Sequence, residues 1–267
     1  MDRAIFNFNS GIMNCEIISY KEYISGSKST LQMTNNFKTK LFWLVAFSIA
    51  MGFLEAAVVV YLRKIYYPNG FQFPLTPIES SIGMTEFFRE AATIIMLLAI
   101  GILSGKNTSQ KFGIFIFCFA IWDIFYYVFL KLLIGWPESL FTWDILFIIP
   151  VPWVGPVLAP CLVSLSMIAL TSAILYYQEK GVDVHLKPKE WMLLISGSLV
   201  IILSFIEDYL KYCSSHNTVL VLPLRDKLFN EISAYVPQSF NWWVFIAGEI
   251  LVLAGIISFI KRARAMR

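Results

Sequence analysis

Six runs of about 20 mainly apolar residues divide this chain, at roughly 40–62, 85–104, 112–134, 153–177, 191–212 and 242–260. A hydrocarbon core of ~30 Å takes that length of α-helix to cross, so the pattern predicts six transmembrane helices. The run LFTWDILFIIPVP (140–152) is equally apolar but too short to span, and reads as a re-entrant or interfacial piece. Beyond the fifth run, Leu224, Leu228, Phe229 and Ile232 recur at helical spacing, which predicts a short external amphipathic helix at about 224–235. The fold class is therefore an all-α integral membrane protein with these two additions.

The polar residues ahead of the first run assign 1–39 to a cytoplasmic tail, expected to be disordered. It shows no basic start followed by an apolar core and a small-residue cleavage site. Met33 offers a second start leading directly into the first run, so no function is built on the first 32 residues. Residues 40–262 read as one polytopic membrane domain, and 263–267 as a basic cytoplasmic tail.

Composition agrees: 58% of the 267 residues are hydrophobic and only 15% are charged. A soluble domain of this size cannot bury so much apolar surface. The net charge of +3 is spread over segment ends, a topology signal and not a nucleic-acid surface. Lys106, Lys111, Lys180, Lys187, Lys189, Lys261, Arg262 and Arg264 fall on the side of the chain ends. Arg63, Lys64, Lys211, Arg225 and Lys227 fall in the opposite loops, and the bias predicts both termini in the cytoplasm. Trp136, Trp143 and Trp153 read as an interfacial belt.

Four cysteines without metal spacing and two loop histidines, His185 and His216, argue against haem, zinc and a histidine-based triad. The chemistry must lie with the ionisable residues inside the runs, where each needs a partner or water. Asp123, Tyr126, Tyr127 and Lys131 share one helix face; so do Glu86, Arg89, Glu90 and Thr93. Glu55 follows Ser48 and Gly52 and precedes Ala56, a four-residue spacing of small side chains that suits close helix packing. Glu207, Asp208 and Lys211 close the fifth run, and Glu249 lies two turns into the sixth.

The candidate ligand- or ion-binding residues are thus Glu55, Arg89, Glu90, Asp123, Tyr127, Lys131, Glu207, Asp208 and Glu249. Glu55, Glu90, Asp123 and Glu249 sit deepest and are expected to line one outward-opening cavity with Arg89 as counter-charge. An oxygen-only ligand set favours Mg²⁺, Ca²⁺ or Mn²⁺, and Pro160 adds a freed carbonyl at Pro156 if the fourth helix has begun there. The first functional reading is a cavity that binds a cation, an amphiphilic ligand or both, as in a membrane-embedded enzyme. A cation- or proton-coupled transporter is the second; against it, runs 2 and 5 both carry their acids on the outer side, which an inverted 3+3 repeat would not do. A non-catalytic assembly subunit is the third. No nucleophile motif points to a reaction. The expected partners are the lipid bilayer and a small-molecule or lipid ligand, with no nucleic acid.

Overall fold

A computed structural model describes residues 38–182, 184–215 and 233–266. All six apolar runs are helices: α1 (Lys38–Tyr66), α2 (Ser80–Ser104), α3 (Thr108–Ile134), α4 (Leu158–Glu179), α5 (Pro188–Ser215) and α6 (Trp242–Ala265). Each is long and apolar enough to cross a membrane. Large apolar side chains stand fully outward, Trp243 at 84% exposure and Leu103 at 82%, which water would penalise and lipid does not. The protein is an integral, multi-pass membrane protein in contact with a lipid bilayer. The chain divides into two units, Met1–Ala46 and Phe47–Arg267, and the packing below is that of the second. The predicted amphipathic helix falls largely on 216–232, outside the described residues.

Local sequence explains where the helices stop. Asn107 caps α3 by accepting the Gln110 amide at 2.9 Å, and Gly135 ends it in the left-handed region at φ 70°, a conformation that favours glycine. Small residues set the helix approaches. A Cβ on Gly52 would stand 2.9 Å from the Trp122 carbonyl, so α1 lies directly on α3. A Cβ on Gly197 would stand 2.8 Å from the Gly248 carbonyl, so α5 and α6 touch backbone to backbone. At the far end of that pair Arg262 grips Glu190 through two 2.8 Å hydrogen bonds.

Between α3 and α4 the chain makes a β-hairpin, β1 (Trp143–Phe147) and β2 (Trp153–Pro156), joined by a Pro-rich turn. The strands pair antiparallel, Asp144 opposite Gly155 and Phe147 opposite Trp153, with a bulge at Leu146. Gly155 is needed because a Cβ there would meet the Phe205 ring at 2.9 Å. Two expectations are corrected here. Residues 153–156 belong to β2, so the fourth helix begins at Leu158 and not at 153. Pro160 then lies in the first turn of α4, where an amide would have no helical partner anyway, and Pro156 ends a strand. Pro160 therefore frees no helical carbonyl.

Candidate functional site

The hairpin is fastened to the bundle by ionisable groups. Asp144, 2% exposed, accepts from Arg63 Nη2 of α1 at 3.2 Å and from the Tyr127 hydroxyl of α3 at 3.2 Å. The Arg63 guanidinium lies 3.6 Å from the centre of the Trp136 ring, a cation–π contact out of water. Burial lifts the Asp144 carboxyl to about 6, against the opposing pull of Arg63. At the strand's other end the Ile148 amide donates to Glu90 Oε2 of α2 at 2.9 Å. Arg89, next to Glu90, donates to Glu55 of α1 and, at 2.8 Å, to Glu86 Oε2 on its own helix.

These groups surround a cavity of about 180 Å³ that takes in Glu55, Glu86, Arg89, Glu90, Trp122, Asp123, Tyr126, Tyr127, Arg63 and Asp144. Five carboxyl groups face two guanidiniums there. A second cavity, of about 260 Å³, lies among α3, α4, α5, α6 and the hairpin. Its walls are apolar except for Asp123, three serines, the Trp153 indole and Glu249. Ser164 and Ser166, which project from α4 in different directions, donate to Asp123 of α3 at 2.9 Å and to Glu249 of α6 at 2.6 Å. Asp123, Leu146 and Phe147 line both cavities, so the cavity that holds the charged groups and the largely apolar one adjoin at the bulge of β1.

Of the residues singled out in the sequence, Glu55, Arg89, Glu90, Asp123 and Tyr127 line the first cavity. Glu249 lines the second and meets the others only through Asp123. Lys131 is exposed and donates to the carbonyls of Gly135 and Pro137, closing the end of α3. Glu207 pairs with Lys211 at 2.6 Å and accepts from Asn241. Asp208 accepts from the Tyr235 hydroxyl at 2.7 Å and from the amides of Gln238 and Ser239, tying down the approach to α6. Neither Glu207 nor Asp208 lines either cavity.

In the sequence Arg63 reads as a loop charge and Asp144 as part of an apolar run, and the fold makes them partners. The signal was present: a lone carboxylate in a 13-residue apolar stretch needs a partner as much as one inside a helix. Trp136 and Trp153 also depart from the belt reading. Trp136 is buried beneath Arg63, and Trp153 stacks on Phe205 with centroids 6.4 Å apart.

Among the described residues four buried side-chain polar atoms have no hydrogen-bond partner: Arg63 Nη1, Trp122 Nε1, Trp153 Nε1 and Glu249 Oε1. Each costs on the order of 1–3 kcal/mol if left so. Arg63 and Trp122 line the first cavity, Trp153 and Glu249 the second. Among the described residues no group of three or more His, Cys, Asp or Glu side chains is placed to hold a metal ion. Compared with protein-family models, curated proteins and solved structures, the chain matches none. Fold and geometry define the class, a multi-pass membrane protein.

Proposed function

We propose that this protein binds a single-chain amphiphile, with its polar end beside Arg63, Glu90, Trp122 and Asp123 and its apolar end between α4, α5 and α6. The observation that carries this reading is the meeting of two unlike cavities at Asp123, Leu146 and Phe147. The four unpartnered polar atoms, all on side chains lining these cavities, favour a ligand over a purely structural charge cluster. A divalent ion is served less well, because Arg89 and Arg63 already engage Glu55, Glu86 and Asp144. A membrane-embedded enzyme and a carrier both begin with this binding step.

The test uses the protein in phosphatidylcholine nanodiscs, titrated with a dodecyl glucoside brominated at the chain end. Saturable quenching of tryptophan fluorescence is expected, largely lost in Trp153→Phe. In Val163→Phe a ring enters the apolar cavity, and saturation should disappear. A tail gains little by leaving lipid for protein, so what a plug removes is access, not a hydrophobic driving force. Quenching that rises without saturation, equally in wild type and Val163→Phe, contradicts the reading.

The hairpin end is proposed to face the exterior, with both termini cytoplasmic. Support comes from the excess of Lys and Arg at the opposite end, while Arg63 is engaged by Asp144 and Lys211 by Glu207. A cysteine replacing the exposed Glu138 should react with an impermeant maleimide in intact cells. Labelling only after lysis reverses the orientation.

A further inference from the structure

Resting on that binding reading, we infer that the polar end of the ligand is a neutral, polyhydroxylated head group. The first cavity offers complementary halves. Arg63, 8% exposed, and Trp122, 5% exposed, each hold a buried N–H donor with no partner. Both call for an oxygen acceptor. Glu90 and Asp123 each accept a hydrogen bond from the protein, from the Ile148 amide and the Ser164 hydroxyl. A carboxylate takes about four, so both retain capacity for donors.

Head groups answer these halves unequally. An anion would satisfy the two donors but would be buried against five carboxyl groups. A quaternary cation would suit the carboxyls, leave both N–H groups unpaired and stand near two guanidiniums. A zwitterion brings two full charges out of water, and each must be desolvated. A hydroxyl donates and accepts from one atom without a net charge, so a cluster of hydroxyls meets both halves at once. The cavity has room: about 180 Å³ is well above the ~10–15 Å³ that one water needs, so a group of several hydroxyls can enter.

The experiment compares four dodecyl amphiphiles, each brominated at the chain end, in phosphatidylcholine nanodiscs: glucosyl, phosphocholine, trimethylammonium and phosphate heads. The glucoside is expected to reach half-saturation at a concentration about tenfold lower than the others. Trp122→Phe keeps an aromatic ring and removes one donor; it should weaken the glucoside several-fold and leave the trimethylammonium titration unchanged. Arg63→Lys, which keeps charge beside Asp144 without Nη1, should do the same and serves where Trp122→Phe does not fold. Saturation by all four heads at similar concentrations, or tightest binding by a charged head, overturns the inference and leaves amphiphile binding standing. A glucoside preference untouched by both substitutions also overturns it. Saturation by none of the four overturns the binding reading itself.

Discussion

Arg89→Ala is expected to destabilise the protein by about 3–5 kcal/mol, the cost of leaving buried carboxylates without their counter-charge. Arg89 is 22% exposed at its side chain, and both Glu55 and Glu86 turn their oxygens to it. The loss should appear as a marked fall in the thermal midpoint in detergent and in the yield of monodisperse protein. Lys64→Ala, one residue beyond Arg63 but exposed, should leave both unchanged. Neutralising the pair together with the arginine, as Glu55→Gln, Glu86→Gln and Arg89→Leu, should recover most of the loss, because no orphan charge then remains. Equal midpoints for Arg89→Ala and Lys64→Ala contradict a buried role for the arginine.

Asp144→Ala should also destabilise the protein, since it removes the acceptor shared by Arg63 Nη2 and the Tyr127 hydroxyl and leaves both donors buried. The same carboxyl also gives a pH signature. Its value of about 6 in the folded protein exceeds the roughly 3.9 of a carboxyl in water. Between those values the folded state holds a proton that the unfolded state has lost. The Asp144 contribution therefore falls as pH rises from about 4 to about 6, by up to roughly 3 kcal/mol, and is flat above that. Asp144→Asn removes this slope and no other. Thermal midpoints of wild type and Asp144→Asn, measured from pH 4 to 8, should converge at the acid end and separate in the window. Parallel curves would place Asp144 in contact with water.

The helices were legible because lipid imposes one rule on every span: length and apolarity. The deep acids were legible for the same reason, as exceptions to it. What a linear pattern does not carry is which neighbour a helix face meets. Glu249, like Glu90, interrupts an apolar run, but it turns to Ser166 on α4 and lines the second cavity and not the first. The hairpin was hidden because its two faces both pack on protein. Trp143, Ile145 and Phe147 alternate with Asp144 and Leu146, and only the carboxylate breaks the apolar run. The Arg63–Asp144 pair joins residues 81 positions apart, a partnership that only the folded chain brings together. Glu207 and Asp208 were drawn into the candidate set by their place at a helix end; their partners show that they hold the approach to α6.

On the function proposed, an amphiphile lies with its chain in the cavity between α4, α5 and α6. The most direct test is photolabelling in nanodiscs with a dodecyl glucoside that carries a diazirine at the chain end, followed by mapping of the adducts. Labelling concentrated on Val163, Met167 and Ile201, which line that cavity, and competed away by unlabelled glucoside, is the result expected. Adducts confined to the lipid-facing side chains Ile195, Leu199 and Leu103, unaffected by competitor, would contradict it.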